Sequence, residues 1–356
     1  MSFQILAINP GSTSTKVAFF ENNLIKHKET INHPSSLISS HPTLWDQFNF
    51  RLKSLYDFIE QNQIDLSEVA AIVGRGGLLK PVSGGTYEVN AIMLKDAKTG
   101  YQGQHASNLG CALAYELAST VEKARAFIVD PVSTDEFEPL ARYSGHPLIE
   151  RRCLSHTLSI HAIGRRAAQK LDLDYAQSNF VIAHLGGGIS ICPLKQGRII
   201  DVNDASSSGP FSPERTGELP LQPFIKLCYS GTYTEHHMKR LVMGEGGLKA
   251  YLGTSDAMEV EKRIESGDNK AKEVYQAMAY QISKEIGAMA TVIKGDVQAV
   301  VISGGLAKSD KLINSIEERV QYIAPVIILT ADYEFEAMAE GALRVLRGIE
   351  RVKEYK

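Results

Sequence analysis

Three glycine-bearing segments of this chain each follow a short apolar run, and the residue types of the first two suit contacts with phosphate. The first covers residues 9–16 and reads Asn-Pro-Gly-Ser-Thr-Ser-Thr-Lys. A glycine and several hydroxyls between two apolar runs offer backbone N–H and side-chain O–H donors to phosphate oxygens. Lys16 adds a positive charge at the end of the segment. An ordinary Gly/Ser hairpin is the alternative, and no Walker A pattern occurs in the sequence.

The second segment covers residues 184–190 and reads His-Leu-Gly-Gly-Gly-Ile-Ser. Gly186, Gly187 and Gly188 carry no side chains, so a phosphate group can approach the backbone closely. His184 stands at the end of the preceding apolar run, where its ring can donate a hydrogen bond to a phosphoryl group in transfer. A tight hairpin with a packed histidine is the alternative interpretation.

The third segment is Ser303 with Gly304 and Gly305, which ends the apolar run 297–302 before a predicted helix. Ligands of α/β proteins bind beyond the carboxyl ends of strands. Two glycines at such a position suit the ribose or adenine of a nucleotide. Many strand-to-helix turns also use glycine, so this segment alone is weak evidence.

The elements that position these segments follow a repeated pattern of strand, polar glycine loop, strand, turn and strand. The pattern occurs at the start of the chain and again about 175 residues later. We interpret it as an internal duplication, in which two similar halves place their glycine loops across a cleft. The predicted strands of the two copies are 3–9, 16–21 and 24–31, and then 180–185, 189–194 and 198–202.

Helices and further strands alternate in the rest of the chain, which predicts an α/β protein with crossover connections. The predicted helices are 44–61, 269–294, about 309–323 and about 335–349, and the further strands are 69–73, 297–302 and 325–329. We expect two domains. The N-terminal half spans 1–165 and is completed by the C-terminal helix at about 335–356, and the C-terminal half spans 166–334.

Composition excludes several classes of protein. The 356 residues are 44% hydrophobic and 22% charged, with a net charge of −3, which is typical of a soluble globular protein. A nucleic-acid-binding protein usually shows a basic excess. No apolar run approaches the roughly 18 residues that a membrane span needs. The N-terminus lacks the pattern of a signal peptide and the four cysteines lack metal-binding spacing, so we expect a cytoplasmic protein.

Taken together, the three loops resemble the superfamily of actin, actin-like chaperones, sugar kinases and acetate kinase. Asn9 is similar to the acetate/butyrate kinase family in particular, because the other branches usually carry aspartate there. Residues 74–87, 130–147 and 246–256 also resemble that family, and the resemblance covers essentially the whole chain. It implies a duplicated actin-like (ribonuclease H-like) ATPase fold, with two domains around a nucleotide cleft.

The resemblance also implies roles for individual residues. Those of the first phosphate loop are Asn9, Ser12, Ser14 and Lys16, and those of the second are His184, Gly186, Gly187 and Gly188. The implied catalytic residues are Arg75, which holds the substrate carboxylate, Asp130, His156, His184 and Arg215. Nucleotide contacts fall to Asp256, Gly304 and Gly305. His161 is an alternative to His156, and the metal-site glutamate is either Glu334 or Glu336, acting with Asn9.

The activity implied by this resemblance is reversible in-line transfer from ATP to a short-chain fatty acid: butyrate and ATP give butyryl phosphate and ADP. ATP or ADP and Mg²⁺ are the expected cofactors, a short-chain carboxylate is the expected substrate, and a homodimer or larger homo-oligomer is expected. A carboxylate is already ionised at neutral pH, so the reaction needs relief of charge repulsion rather than a general base. Arg75 and Arg215 suit that task.

Other substrates and one other class of protein stay open. Acetate is shorter than butyrate by two methylene groups and isobutyrate is its branched isomer, and an apolar pocket distinguishes one methylene by only about 1–3 kcal/mol. The sequence therefore does not decide between a butyrate, a branched-chain fatty acid and an acetate kinase. The distant alternative is a non-metabolic actin-like ATPase switch. The arginine pair and Asn9 weigh against it.

Overall fold

The computed structural model describes residues 2–356. Most strands match apolar runs of the sequence that are bounded by glycine, asparagine or aspartate. In chain order the strands are β1 Gln4–Pro10, β2 Ser14–Glu21, β3 Leu24–Asn32, β4 Val69–Arg75, β5 Thr86–Glu88, β6 Arg125–Val129, β7 Asn179–Leu185, β8 Ile189–Lys195, β9 Arg198–Ile199, β10 Ala299–Ser303, β11 Val326–Leu329 and β12 Lys353–Glu354.

The helices lie between these strands and after the second strand triplet. They are α1 Ser35–Ser39, α2 Phe48–Gln61, α3 Ala91–Thr99, α4 Asn108–Ser119, α5 Thr157–Lys170, α6 Leu221–Cys228, α7 Glu235–Val242, α8 Gly247–Leu252, α9 Ala257–Glu265, α10 Asn269–Val292, α11 Asp310–Val320 and α12 Glu334–Leu346. Short 3-10 segments lie at Trp45–Gln47, Leu66–Glu68, Pro139–Arg142, Tyr175–Gln177 and Gly305–Lys308. No helix within residues 2–356 combines the length and the apolar character that crossing a lipid bilayer requires.

Residues 2–356 divide into two compact units, which are described separately. Unit 1 comprises the chain up to Asp135, Thr157–Ser159 and Tyr333–Lys356, and unit 2 comprises Glu136–His156 and Ile160–Asp332. The sequence had suggested a change near residue 165. Residues 136–156 belong to unit 2 because hydrogen bonds tie them to it. The Glu138 N–H donates to the Ile200 carbonyl at 3.0 Å, and the Arg151 guanidinium donates to Asp201 at 2.7 Å.

Unit 1 is built on a mixed sheet in the strand order β12-β5-β6-β4-β1-β2-β3. Strands β1, β2 and β3 form antiparallel hairpins, whereas β1, β4 and β6 run parallel to one another. The parallel strands are almost continuously buried, which explains their unbroken apolar sequences. Helices α4 and α12 both pack against this parallel part of the sheet. The carboxyl ends of β1, β4 and β6 therefore share one edge of the sheet.

Unit 2 repeats the arrangement with the order β11-β10-β7-β8-β9. Strands β7 and β8 form an antiparallel hairpin, and β10 runs parallel to both β7 and β11. The long helix α10 packs on β7 and β8 and contributes most of its buried face to the apolar core of this unit. The predicted α/β duplication, with strand, glycine loop, strand, turn and strand in each copy, is confirmed.

Two predicted elements differ in extent. The strand predicted over 198–202 ends at Ile199 because the Asn203 side chain replaces the backbone ladder beyond that point. Its amide accepts from the Ile191 N–H at 2.6 Å and donates to the Ile189 carbonyl at 2.9 Å. The helix predicted from residue 44 begins at Phe48, after the 3-10 turn Trp45–Gln47.

A close contact between β4 and α4 fixes the end of β4. Gly74 and Gly110 face each other with no side chains between them. A Cβ atom added to Gly110 would overlap the backbone of Arg75, and one added to Gly74 would overlap the backbone of Gly110. The two glycines thus let the helix lie directly on the last residues of β4, so the backbone of Arg75 has no room to shift.

We expect Gly110→Ala to lower the free energy of unfolding by about 1–3 kcal/mol, because the new methyl group overlaps backbone that cannot move away. Gly287→Ala, in the middle of α10, is the matched control. Its Cβ would meet nothing closer than the Tyr322 hydroxyl at 3.9 Å, so the gain in helix propensity should stabilise the protein by up to about 1 kcal/mol. Urea denaturation monitored by circular dichroism measures the free energy of unfolding of both variants. If both substitutions shift it in the same direction, the close contact between β4 and α4 is contradicted.

Candidate active site

The first glycine loop joins β1 to β2 in unit 1. Asn9 and Lys16 are paired across the antiparallel ladder on either side of it, and the Gly11 N–H closes the turn by donating to the Ser14 carbonyl at 2.8 Å. Ser12 and Thr13 are exposed. Their backbone N–H groups donate to no group within residues 2–356. The tip of the loop therefore presents unpaired backbone donors, which is the arrangement that binds phosphate oxygens.

A buried arginine lies beneath this loop, and the sequence analysis gave it no role. The Arg51 guanidinium, from α2, donates to the Ser14 carbonyl at 3.0 Å and to the Thr15 hydroxyl at 2.9 Å. Its own side chain is fully shielded from solvent. A charged residue on the apolar face of a predicted helix was the signal available in the sequence.

Arg75, Asn9 and Glu334 meet in unit 1. The Arg75 side chain is 8% exposed, and its Nε donates to Glu334 Oε1 at 3.2 Å. The Asn9 amide donates to the other oxygen, Glu334 Oε2, at 2.7 Å. Glu334 is the first residue of α12, so folding of the C-terminal helix brings it to residues near the start of the chain.

Glu336, the alternative to Glu334, sits one half-turn further along α12. Its Oε2 atom is buried without a hydrogen-bond partner within residues 2–356. Asn9 and Arg75 both donate hydrogen bonds to Glu334. The structure thus brings Glu334, of the two candidates, to the other predicted site residues.

Asp130 follows β6 and is almost completely buried. Its carboxylate accepts from the Gly85 N–H at 2.6 Å, and its own N–H donates to the Gly85 carbonyl at 3.0 Å. The Arg75 guanidinium donates to its backbone carbonyl at 3.5 Å. The backbone of Asp130 has φ of 39°, in the left-handed region that costs energy for a residue other than glycine. Backbone strain of this kind clusters at active sites and ligand clamps.

The second glycine loop joins β7 to β8 in unit 2. The Gly186 N–H closes the turn by donating to the Gly188 carbonyl at 3.1 Å. The Ser212 hydroxyl donates to the Gly187 carbonyl at 2.5 Å. The N–H groups of Gly187 and Gly188 have no acceptor in the described part of the chain. This loop therefore offers unpaired backbone donors just as the first loop does.

Arg215 lies directly against the second loop, because a Cβ atom on Gly188 would overlap its guanidinium. The guanidinium donates to the Ala205 carbonyl at 2.9 Å. Partial burial lowers the pKa of Arg215 from its usual range, while the charges of Glu214 and Asp204 act in the opposite direction. The residue stays cationic at neutral pH and places a positive charge beside the glycine backbone.

His156 and His184 lie side by side in unit 2, with ring centroids 4.8 Å apart. His156 Nδ1 is 2.9 Å from the Ser190 hydroxyl, and His184 Nδ1 is 3.2 Å from the Ser303 hydroxyl. Burial lowers the pKa of His184 from 6.5 to about 4, and the charge of Asp332 opposes that shift only in part. At neutral pH His184 is therefore uncharged, so it can act as a hydrogen-bond donor but not as a cation.

His161, the alternative to His156, is buried on α5. Its Nδ1 atom is 2.7 Å from the Tyr175 hydroxyl. Its Nε2 atom has no hydrogen-bond partner within residues 2–356, and Glu136 lies 3.8 Å from it. Of the two candidates, the structure places His156 beside His184 and the second loop.

The predicted nucleotide contacts fall in different places. Gly304, at the end of β10, has φ of 90° and packs on the backbone of Leu185, next to the second loop. Gly305 follows it and has open space where a side chain would be. Asp256 is exposed and caps helix α9, where its carboxylate accepts from the Met258 N–H at 2.9 Å. A helix cap is a sufficient structural reason for an aspartate at that position.

The possible metal ligands near Asn9 suit a magnesium ion that binds together with a nucleotide. Mg²⁺ is commonly held by one or two carboxylates together with water and substrate phosphates. Glu334 supplies one carboxylate and Asn9 one amide group. Within residues 2–356 there is no cluster of three or more His, Cys, Asp or Glu side chains that forms a metal cage without a substrate.

Known proteins resemble this chain along its whole length. It is 47% identical over 356 residues to a probable butyrate kinase of Listeria welshimeri serovar 6b, with 100% of both chains covered. It is 48% identical over 353 residues to probable butyrate kinase 2 of Caldanaerobacter subterraneus subsp. tengcongensis, with 99% of each covered.

Solved structures and a family model agree with these relatives. The crystal structure of Porphyromonas gingivalis acetate kinase is similar with a TM-score of 0.78, at 17% identity, over 96% of this chain and 99% of that one. That likeness confirms the predicted two-domain actin-like ATPase fold. A sequence model described as the acetokinase family matches residues 140–337, which is more than half of the chain. The chain belongs to the acetokinase family.

Proposed function

We propose that this chain is a carboxylate kinase that converts butyrate and ATP into butyryl phosphate and ADP. The observation that carries the proposal is the matched pair of glycine loops. Each presents unpaired backbone N–H groups within the described residues, at Ser12 and Thr13 and at Gly187 and Gly188. Relatives named probable butyrate kinases, 47% and 48% identical over essentially the whole chain, support the choice of butyrate.

The chemistry needs little proton transfer. A fatty acid with a pKa near 4–5 is ionised at neutral pH, so its oxygen is already a nucleophile. That oxygen attacks the γ-phosphorus in line and forms a new O–P bond. The bond from the phosphorus to the bridging oxygen breaks, and ADP leaves with the electron pair. No group has to remove a proton from the substrate, so charge and position decide the rate.

The charged residues are assigned by their surroundings. We assign Arg75 to the substrate carboxylate, because its guanidinium is held by Glu334 and by the Asp130 carbonyl in a fixed orientation. We assign Arg215, which lies against Gly188, to the oxygens of the transferring phosphoryl group. Asp130 holds the loop at Gly85 and would orient the water around a bound metal ion. When bound, Mg²⁺ neutralises phosphate charge, and Asn9 and Glu334 would hold it.

The remaining assignments concern hydrogen-bond donors to the phosphates and contacts to the nucleoside. His184 is neutral at pH 7, and its Nδ1 atom is occupied by Ser303, which leaves Nε2 to donate to the phosphoryl oxygens. His156 is held in the same way by Ser190. The main-chain donors of the first loop, with Ser12, Ser14 and Lys16, take the phosphates of ATP. Gly304, Gly305 and Asp256 are assigned to the nucleoside.

The first test is the reaction itself. Purified protein with Mg-ATP should form a hydroxamate-trappable acyl phosphate from butyrate. Its kcat/KM for butyrate should be at least about tenfold above that for acetate, since one methylene is worth about 1–3 kcal/mol, and should also exceed that for the branched isomer isobutyrate. Acetate, propionate, butyrate, isobutyrate and valerate form the panel. ATP hydrolysis that is independent of any added acid, with no acyl phosphate, would favour the actin-like switch instead. A clear preference for isobutyrate or acetate would support carboxylate kinase activity but overturn the choice of butyrate as substrate.

The second test concerns the carboxylate clamp. Arg75→Ala should lower kcat/KM for butyrate by about 10²–10³, because an electrostatic donor to the reacting groups is lost. Arg75→Lys should recover only part of this, since an ammonium keeps the charge but not the fork of donors. Arg125→Ala is the control. Arg125 is the first residue of β6, at the end of the strand opposite to Asp130, and pairs with Glu88 at 2.9 Å, so the activity of this variant should match the wild type. Activity of Arg75→Ala within threefold of the wild type would remove the assignment.

The third test concerns the neutral state of His184. The pKa of His184 is about 4 in the folded protein, whereas the unfolded chain has the ordinary value of 6.5. As pH falls below about 6.5, the unfolded state therefore binds the proton first, and stability declines until about pH 4. His184→Gln should remove about 1–3 kcal/mol of that decline. Urea denaturation at pH 7.5 and pH 5 without nucleotide measures it.

His236→Gln, at an exposed position on α7, is the control for this experiment and should keep the pH dependence of the wild type. If His184→Gln and the wild type lose the same stability between the two pH values, His184 is not held neutral by burial.

A further inference from the structure

Arg51 carries a buried charge that no acid among residues 2–356 balances. Its side chain is 0% exposed, and it forms no ion pair within residues 2–356. Lysine, arginine and the acids are almost never fully buried unless they are paired. Burial lowers the pKa of Arg51 to about 10, so the guanidinium is still cationic at neutral pH. An anion bound near the first loop would supply the countercharge that these residues lack.

The hydrogen bonds of Arg51 point to where that counterion binds. Its Nη1 atom donates to the Ser14 carbonyl at 3.0 Å and to the Thr15 hydroxyl at 2.9 Å, and its Nη2 atom donates to the Ser12 carbonyl at 3.4 Å. The remaining donors go to Gln47 at 2.9 and 3.2 Å. All these acceptors are neutral. Three of them belong to the first glycine loop.

The contact with Ser12 determines the direction of a phosphate-binding donor. In a trans peptide the carbonyl and the following N–H point in opposite directions. Because the Ser12 carbonyl is turned toward Arg51, the Thr13 N–H of the same peptide unit is turned away from it. That N–H is one of the unpaired donors at the tip of the loop.

His33 keeps this environment free of a second charge. Its Nε2 atom is 2.8 Å from the same Thr15 hydroxyl. Burial, and then the charge of Arg51, lower the pKa of His33 to about 4. The edge of its ring meets Phe50, whose centroid is 5.0 Å away. Arg51 is thus the single cation below the loop among the described residues that contact Thr15.

We propose that Arg51 is a positioning residue for the nucleotide phosphates: it fixes the peptide units of the first loop from below and supplies a positive charge that bound phosphate balances. This inference rests on the proposed function, since it takes ATP as the ligand of that loop. Arg51 does not touch the phosphates. It acts through the backbone of Ser12 and Ser14 and through its field, which is screened little in a buried site.

The test separates phosphate binding from folding by comparing nucleotides that differ in charge. Binding of ATP and ADP to the full-length protein is measured by titration calorimetry. Binding of AMP is measured by competition in the same assay. Arg51→Met should weaken ATP at least about tenfold, ADP less and AMP least, because the lost attraction scales with phosphate charge. KM for ATP should rise accordingly, while KM for the carboxylate stays within twofold. Arg125→Met, which removes a partly exposed and paired arginine, should change none of these values.

Arg51→Lys is the second variant, because Arg51→Met leaves several buried acceptors unpaired and can fail to fold. Lysine keeps the charge without the fork of donors, so ATP affinity should fall by about two- to fivefold and the order of ATP, ADP and AMP should be kept. Equal losses for all three nucleotides in the variants would show a purely structural role and overturn the inference. Unchanged affinities in the variants would do the same.

Acyl phosphate formation by the wild type distinguishes the two proposals. If the wild type binds ATP and forms acyl phosphate but the variants show no charge-dependent loss, the inference about Arg51 fails and the proposed function stands. If the wild type binds ATP and forms no acyl phosphate, the proposed function fails, and the nucleotide series still decides the role of Arg51. A wild type that binds no ATP overturns both.

Discussion

Charge repulsion between a carboxylate and a triphosphate is the constraint to which the rest of this molecule responds. Two unit charges 4 Å apart in a partly buried site repel by about 4 kcal/mol at an effective dielectric constant of 20, and a triphosphate carries several of them. Most of the groups assigned to the reaction are therefore guanidinium groups, imidazoles and unpaired N–H groups. Glu334, an acid among them, already bonds to Asn9 and Arg75.

The fold meets this constraint by using strand ends. Within unit 1 the parallel strands β1, β4 and β6 end at the same edge of the sheet, and Asn9, Arg75 and Asp130 stand at or just after those ends. Within unit 2 the parallel strands β7 and β10 end in the same way at His184 and Ser303. Strands that are buried on both faces are rigid, so side chains and N–H groups at their ends are held in fixed positions.

Much of this could be predicted from the sequence, since the strands are uninterrupted apolar runs that end in glycine or asparagine. The duplicated triplets, the alternation of helix and strand, and both glycine loops were visible for that reason. Element ends were less predictable. The third strand of the second copy is short because the Asn203 side chain takes over the hydrogen bonds of Ile189 and Ile191. A substitution of that kind leaves no periodic signal.

The loops of the candidate site could be predicted from the sequence. The choice between two nearby residues of the same type was less predictable. His156 and His161 are five residues apart, and Glu334 and Glu336 only two, so spacing alone does not decide which member of each pair meets the loops. Tertiary contacts decide it. The His156 ring lies next to the His184 ring, whereas His161 bonds to Tyr175. Glu334 reaches Asn9 across 325 residues of chain.

Arg51 is recognisable in the sequence as a charged residue on the apolar face of a helix. It stands three residues after Phe48 and four before Leu55, so it lies on the same helical face as the apolar residues that α2 buries. A cation on such a face must be balanced, and its partners at Ser12, Ser14 and Thr15 are 36 to 39 residues away in sequence. None of them is an acid. The neighbours of this buried cation are all neutral, and the loop above it has unpaired N–H groups. This arrangement is more consistent with an anionic ligand than with a structural ion pair. Without a bound anion, the protein bears the full cost of burying the charge.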